Sequence, residues 1–355
     1  MLGLDLPRSL YPRAGWRDLG LGRLEVWCRG DPTDLPWYSG VAGRTGRLML
    51  HHPAGAEPLV AGADSRFSAR IQAPAGMPLV PVWFGGEAPP DREASPYILA
   101  IGLAALEGRT DVHAHVGSLS GQCYPPELIS ALVAEAHVGS AWVSNLDGAT
   151  GPQAEVNRRV VTQVADRPEL EPVFWADPVQ GLDRECRSLL EGGGFVALKF
   201  HPELNGYSAD DRRVEPYLGL AGELGLPALF HTQQARLSHP SLVAGLARRF
   251  PRVRFIMGHT GLWGAQEEAL ACLRQGGDNL VGDLAWFHRI DLLVEEIRVN
   301  GPGRFVFGSD APVDGEESYQ QYLWILWRID ADLPLLKALF VDAPARLRRS
   351  SAGGR

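Results

Sequence analysis

The chain has 355 residues, of which 45% are hydrophobic and 21% are charged, as in an ordinary folded globular protein. Its formal net charge of −8 argues against a nucleic-acid partner, which would require a basic face. No segment approaches the roughly eighteen uninterrupted apolar residues of a membrane span, so a membrane partner is not expected either.

The cysteines lie far apart in the sequence, at Cys28, Cys123, Cys186 and Cys272, without any Cys-x-x-Cys spacing. A disulfide framework or a thiolate metal site is therefore not expected. Residues 1–8 lack the apolar core of a signal peptide. Together these features favour a cytoplasmic location.

Residues 1–90 are rich in Gly, Pro and short runs that alternate apolar with polar side chains, which predicts a small β-rich N-terminal domain of unknown role. The predicted strands of this domain are 23–27, 47–50, 66–71 and 79–84. Residues 91–109 are assigned to a linker and a capping helix. The linker begins in the Pro-containing stretch 85–91, and apolar residues at helical spacing predict the helix over 97–107.

From residue 110 to residue 355 apolar strand-like runs alternate with amphipathic helical segments. The predicted strands are 110–116, 140–146, 170–177, 195–201, 227–232, 253–259, 279–285 and 304–310. The predicted helices are 127–136, 157–165, 183–190, 214–224, 241–249, 267–274 and 290–299, with a last helix or pair of helices over 318–348. A strand followed by a helix, repeated eight times, is the α/β pattern of a (β/α)8 TIM barrel.

Histidine and aspartate recur at the carboxyl ends of these predicted strands, and active sites of TIM barrels lie at that edge of the sheet. In the first strand His113 and His115, with Asp111, alternate along the chain and are expected to share one face. His231 ends the fifth strand and Asp310 ends the eighth. Zinc binds imidazole nitrogens and carboxylate oxygens in proteins. The three imidazoles and the carboxylate at these strand ends therefore predict a metal site.

Several polar residues near this site have more than one interpretation. His259 ends the sixth strand and is either a further ligand, an electrophile or proton shuttle, or a core histidine. Asp310 could instead cap the helix that follows. Asp283 ends the seventh strand and either faces the barrel mouth or is a loop carboxylate. For Asp111 we expect a role in orienting a ligand from below rather than direct binding.

Lys199 and His201 lie two residues apart in the fourth strand and therefore share a face. Lys199 could remain a cation that binds a substrate carboxylate or pairs with an aspartate. It could alternatively contribute to a second metal site. His201, which is nearer the mouth, is expected to contact the substrate.

At these residues the chain resembles the amidohydrolase superfamily and, within it, the amidohydrolase-2 group, over about residues 108–348. Besides His113-Ala114-His115, the motifs are Leu198-Lys199-Phe200-His201-Pro202, Leu229-Phe230-His231-Thr232, Met257-Gly258-His259-Thr260-Gly261, Phe307-Gly308-Ser309-Asp310-Ala311-Pro312 and Asp342-Ala343-Pro344-Ala345-Arg346-Leu347. The family often has Asn where this chain has Asp342. The resemblance implies that a divalent metal, zinc or alternatively manganese, is bound by four residues: His113, His115, His231 and Asp310. It also implies that His259 is close to the reacting group, and that a carboxylated Lys199 would bridge two metals.

The expected activity is hydrolysis of a C–N or C–O bond in a small molecule through a metal-bound hydroxide. Asp310 would take a proton and return it to the leaving group, and His259 would help to polarise the carbonyl group. The alternative is a metal-dependent non-oxidative decarboxylase or hydratase of a small carboxylic acid, since members of the group use the same ligands for both. A barrel that only binds a ligand is a third interpretation. The expected partner is a small-molecule substrate, and assembly as a homodimer is left open.

Overall fold

A computed structural model describes residues 13–29, 48–62, 66–85, 97–192, 194–313 and 318–348. Residues 1–8 and all but the first residue of the predicted linker at 85–91 lie outside the described residues. The chain divides into two compact units. The first comprises residues 1–105, 135–137 and 319–333, and the second comprises the remainder. No helix in the described ranges is both long enough and apolar enough to cross a membrane.

The described residues of the first unit form two antiparallel four-stranded sheets, with strand orders β1-β2-β6-β5 and β4-β3-β7-β8. The strands are β1 (Arg13–Gly20), β2 (Arg23–Arg29), β3 (Met49–His52), β4 (Gly55–Pro58), β5 (Val60–Ala61), β6 (Arg66–Gln72), β7 (Val80–Gly85) and β8 (Tyr97–Leu99). Alternate residues of β2, Leu24, Val26 and Cys28, are buried in an apolar core that also contains side chains of the other sheet. The period of two seen in the sequence thus places one face of each strand in this core.

The predicted helix over 97–107 is wrong in its first part, because Tyr97–Leu99 is the strand β8 and helix α1 covers only Ile101–Ala104. A short apolar run fits a buried strand as well as a helix, so spacing alone could not decide between them. The backbone N–H of Ile98 donates to Gln320 Oε1 (3.0 Å), and Gln320 Nε2 donates to the Ile98 carbonyl (3.2 Å). This pairing helps explain why 319–333, predicted within the barrel domain, groups with the first unit.

The described residues of the second unit form eight parallel strands in chain order, with a short antiparallel strand β10 paired to the first of them. The strands are β9 (Thr110–Leu119), β10 (Gln122–Tyr124), β11 (Ser140–Asn145), β12 (Leu170–Ala176), β13 (Ala197–Phe200), β14 (Ala228–Gln233), β15 (Phe255–Leu262), β16 (Leu280–Asp283) and β17 (Phe305–Val306). A parallel bridge between Ala114 and Ala311 joins the last strand region to the first. The sheet therefore closes into the predicted (β/α)8 barrel.

Helices follow the barrel strands at the predicted places, with ends that differ by a few residues, and a short helix that was not predicted, α5 (Pro202–Asn205), follows the fourth strand. They are α2 (Pro126–Glu135), α3 (Gln153–Val164), α4 (Arg184–Gly192), the short α5 (Pro202–Asn205), α6 (Glu215–Leu224), α7 (Pro240–Arg249), α8 (Gln266–Gln275), α9 (Ile290–Asn300), α10 (Ser318–Arg328), α11 (Leu333–Lys337) and α12 (Ala343–Arg348), with a π-helix at Ala338–Asp342.

The floor of the barrel is a layer of apolar side chains to which each parallel strand contributes one residue. These are Val112, Trp142, Val173, Ala197, Leu229, Ile256, Val281 and Val306, packed with Ala343 and Leu347 of α12. Such a layer makes the interior a packed core rather than a pore. Any chemistry is therefore confined to the residues that follow this layer toward the carboxyl ends of the strands.

Candidate metal centre

The polar side chains of the candidate site lie one layer above the apolar floor. Lys199 is two residues beyond Ala197, His231 is two beyond Leu229, and Asp283 is two beyond Val281. Because side chains two residues apart share a strand face, the floor residues and these polar residues face the same interior. The regular alternation of the strands thus brings the predicted residues to one place.

Strand β9 reaches the same layer in a different way. Its pairing with β11 shifts register between Ala141 and Val143, so that two residues of β9 oppose one residue of β11. Val112 therefore lies in the floor and the next residue, His113, already belongs to the polar layer. The prediction that Asp111 shares a face with His113 through simple alternation is wrong, because this irregularity intervenes.

His113 is held between a carboxylate and a cation. Its Nδ1 lies 2.7 Å from Asp283 Oδ2, and its Nε2 lies 2.7 Å from Lys199 Nζ and 3.1 Å from Asp310 Oδ1. Burial and the charge of Lys199 both lower the pKa of His113, but Asp283 and Asp310 outweigh them and raise it. When Nδ1–H donates a hydrogen bond to Asp283, Nε2 carries a lone pair next to the Asp310 carboxylate. That arrangement favours a positive charge at this point.

Asp310 is fixed through both its backbone and its side chain. Its N–H donates to the His113 carbonyl (2.7 Å), and its φ of 62° is in the left-handed region that aspartate tolerates better than most residues. Oδ1 lies 2.9 Å from His115 Nε2, and Oδ2 accepts a hydrogen bond from Trp286 Nε1 (3.1 Å). Burial acts to raise the pKa of Asp310, but the imidazoles around it hold the pKa well below its usual range.

His259 completes a group of three potential ligands. One ligand atom each from His113, His259 and Asp310 lie within 4.8 Å of one another in the described part of the chain. His259 Nδ1 is buried and has no hydrogen-bond partner among the described residues. Burial lowers the pKa of His259 well below its usual value, so the ring stays neutral. Two imidazole nitrogens and a carboxylate oxygen at this spacing fit a divalent cation.

His115 and His231, the other predicted ligands, are not members of this group of three. His115 Nδ1 lies 2.9 Å from Ser144 Oγ, and its Nε2 faces Asp310. His231 Nε2 lies 3.1 Å from Gln233 Oε1, and its ring centroid is 4.8 Å from that of His259. Burial lowers the pKa of His115 to about 4 and that of His231 to about 3. Both rings therefore stay neutral beside the group.

Lys199 and His201 lie at the carboxyl end of the fourth parallel strand, as expected, but they contact different parts of the site. Lys199 is 1% exposed, and burial lowers its pKa to about 8 against the opposing effect of Asp310 and Asp283. His201 Nδ1 accepts the Leu204 N–H (3.3 Å) at the start of α5. The His201 ring stacks on His231 at 4.0 Å, with Trp175 at 6.0 Å.

Asp111 and Asp283 act on the backbone around the site. Asp111 accepts hydrogen bonds from Ser309 Oγ (2.6 Å) and from the His113 N–H (3.0 Å), which ties the first strand to the segment after the last. Asp283 Oδ1 accepts the His259 N–H (2.7 Å) while Oδ2 faces the His113 ring. Of its two interpretations, the position in the barrel interior is therefore the one that the structure has.

Some residues that shape the site were not found from the sequence. Trp286, Ser144 and Trp175 carry no motif that could have identified them. Gly308 could have been found, because it directly precedes Ser309-Asp310 in one of the motifs that carry the family resemblance. A Cβ atom at Gly308 would lie 2.9 Å from the Cβ atoms of both His113 and Asp283, so only glycine fits there without displacement.

The comparisons with known proteins agree with the barrel fold. A family model described as amidohydrolase matches residues 110–349. A 2,6-dihydroxybenzoate decarboxylase from Rhizobium has 14% sequence identity and a TM-score of 0.54, over 68% of this chain and 99% of that chain. A probable 2-pyrone-4,6-dicarboxylic acid hydrolase from Acinetobacter baumannii has 14% identity and a TM-score of 0.51, over 68% and 99%. An amidohydrolase from Burkholderia multivorans with bound zinc has 14% identity and a TM-score of 0.52, over 68% and 98%.

At such identities the solved structures establish a shared fold alone. No curated protein matches the chain.

Proposed function

The chain belongs to the amidohydrolase family, and from that premise we propose that it is a metal-dependent hydrolase that cleaves a C–N or C–O bond of a small molecule. Amidohydrolases are enzymes, so a barrel that only binds a ligand is not favoured. What the proposal adds to family membership is the type of bond and the role of each residue.

The observation that carries the proposal is the convergence of His113, His259 and Asp310, whose ligand atoms lie within 4.8 Å of one another. We assign the metal to these three residues, with His115 and His231 as the further imidazoles of the predicted set. A bound dication would supply a Lewis acid and lower the pKa of a water molecule toward about 7. We propose zinc, with manganese as the alternative. The zinc bound by the Burkholderia multivorans amidohydrolase supports this choice.

The chain's own groups would then handle the proton and the electrophile. Asp310 is ionised, because the imidazoles around it hold its pKa well below the usual range, so it can accept a proton from water. The same carboxyl group would return that proton to the leaving group. His259, which is neutral and buried, lies close enough to assist in polarising a carbonyl. His201, whose ring stacks with those of His231 and Trp175, would contact the substrate.

Decarboxylation or hydration of a small carboxylic acid is the second candidate. Lys199 is a buried cation in the same layer, and a buried ammonium group suits a substrate that carries a carboxylate. The Rhizobium structure with this fold is a decarboxylase. Carbon dioxide release from aromatic or unsaturated acids, measured beside ring-opening of lactones and cyclic amides, separates the two candidates.

The Asp310→Asn variant tests the proposal directly. We expect turnover to fall by orders of magnitude, since about 10²–10⁴-fold is typical for loss of a general acid–base group, while metal analysis still finds metal partly bound. Turnover close to that of the unmodified protein would exclude the proposed role of Asp310. The exposed Asp291→Asn variant, on α9, is the matched control and should be fully active.

A small-molecule substrate and a cytoplasmic location belong to the same proposal. Sizing of the purified protein would decide between a monomer and a homodimer.

A further inference from the structure

Trp286 forms a hydrogen bond with only one of the two carboxylate oxygens of Asp310. Its indole Nε1–H donates to Asp310 Oδ2 at 3.1 Å. The other oxygen, Oδ1, faces the Nε2 atoms of His113 and His115 at 3.1 and 2.9 Å. One oxygen is therefore directed to the candidate metal site, and its neighbour is engaged by a neutral donor.

The loop that carries Trp286 follows β16 and is held in place by the buried side chain of Gln266, the first residue of α8. Gln266 Nε2 donates to the Trp286 carbonyl (3.3 Å), and Gln266 Oε1 accepts the N–H groups of His288 (3.2 Å) and Arg289 (2.9 Å). These three hydrogen bonds fix the backbone from Trp286 to Arg289. The position of Trp286 is thus imposed by the fold.

The backbone of Trp286 is also in an unusual conformation. Its φ is 59°, in the left-handed region, which is uncommon for a bulky aromatic residue. Such a conformation is unfavourable and persists only where the surrounding structure holds it. Gln266 contacts the backbone of this residue and Asp310 contacts its side chain, and both contacts help to hold the conformation.

We propose that Trp286 is a positioning residue that presents Asp310 to the metal and to the reacting proton through Oδ1 alone. The inference rests on the proposed function, in which Asp310 binds the metal and exchanges the proton. A carboxylate that can rotate could bind a cation through either oxygen or through both. The indole removes this freedom and stabilises the anion without neutralising its charge, as hydrogen bonds to charged groups do.

The Trp286→Phe variant keeps an aromatic ring and removes the donor. We expect kcat to fall by about tenfold to a hundredfold, which is the range for a lost hydrogen bond to a charged group, with little change in KM. Metal content should be retained. The half-buried Trp324 of α10 provides the matched control, and Trp324→Phe should leave kcat unchanged. Gln266→Met removes the hydrogen bonds that hold the Trp286 loop, and it should also lower kcat, but by less than Trp286→Phe does.

A second readout needs neither metal nor substrate. In the metal-free protein, the indole ¹⁵N–¹H signal that is lost in Trp286→Phe identifies Trp286. That signal should shift in Asp310→Asn, because the variant replaces its charged acceptor with a neutral amide. The Trp324 signal, identified in the same way, should not move.

The outcomes separate the inference from the function on which it depends. Wild-type kcat in Trp286→Phe together with an inactive Asp310→Asn would overturn the positioning role and leave the proposed function intact. Full activity in Asp310→Asn would overturn the proposed function itself. Trp286→Phe could lose its metal or fail to fold. The indole signal of Trp286 would then be assigned by triple-resonance NMR of the unmodified protein. If that signal does not shift in Asp310→Asn, the inference is overturned.

Discussion

At the scale of single residues, the orientation of one imidazole depends on one carboxylate. Asp283 Oδ1 is committed to the backbone N–H groups of His259 (2.7 Å) and Ala285 (3.2 Å), so Oδ2 is the oxygen left for His113 Nδ1. A carboxylate in this place keeps the His113 proton on Nδ1 and leaves the Nε2 lone pair for a cation. Outer carboxylates commonly fix ligand histidines in this manner.

The Asp283→Asn variant should therefore disturb metal binding although its side chain has almost the same volume. The two backbone N–H groups require the amide oxygen, so the amide NH₂ would face His113 Nδ1 and move the ring proton to Nε2. We expect the affinity for the metal to fall about 10- to 100-fold. Competition with a chelator measures this loss. An unchanged affinity would mean that Asp283 does not control the tautomer of His113.

The residues of the site differ in how far the sequence could predict them. His231, Asp283 and Lys199 were identified because each lies near the carboxyl end of an apolar strand, and the strand period determines the interior face. The grouping of His259, rather than His231, with His113 and Asp310 was not predictable. It depends on the left-handed backbone at His259 (φ 65°), which has no signature in a periodic pattern.

At the scale of elements, glycines allow the strands to approach around His113. Gly308 follows β17, and the space that its missing side chain leaves is filled by the Cβ atoms of His113 and Asp283. Interiors packed this closely do not accept an added methyl group without displacement of their neighbours. The packing of the first strand at His113 therefore depends on the glycine that follows the eighth strand.

Gly308→Ala should cost about 1–3 kcal/mol in the free energy of unfolding and should weaken metal binding as well. Denaturant unfolding of the metal-free protein and a metal titration give the two quantities separately. The control is Gly303→Ala, where an added Cβ would meet nothing within 4 Å. Equal stability of the two variants would contradict the close approach at position 308.

The elements themselves were predicted well where a long periodic run defined them and poorly where tertiary contacts did. The parallel strands and the helices α2 to α9 lie within a few residues of their predicted places, apart from the short α5 after strand four. The last strand was expected over 304–310, but regular pairing covers only Phe305–Val306. The register shift in β9 was missed because an irregularity of one residue does not disturb the apolar pattern around it.

At the scale of the molecule, the charges buried at the candidate site limit the number of metals. Asp111 and Asp283 are 0% exposed, Asp310 is 7% exposed, and Lys199 is 1% exposed. Three carboxylates and one ammonium group leave two negative charges, which one dication balances. A carbamate on Lys199 would leave four negative charges, which two dications balance. Because buried net charge is costly, a second metal and the carbamate should occur together or not at all.

We expect one equivalent of metal per chain, with or without added bicarbonate, since burial lowers the pKa of Lys199 only to about 8 and the charges of Asp310 and Asp283 still favour its ammonium form. Elemental analysis after loading in the two buffers provides the count. A second equivalent that appears only with bicarbonate, and that is absent from Lys199→Met, would show the carbamate instead.

The way in which the barrel closes has a consequence for how the protein is made. Asp310 meets His113 through its own backbone, and Ala114 pairs with Ala311 at the same point. While only the earlier strands have left the ribosome, His113 and Asp310 therefore cannot yet lie together. A cation held by His113 and Asp310 would be captured late in biosynthesis, when nearly the whole barrel has emerged.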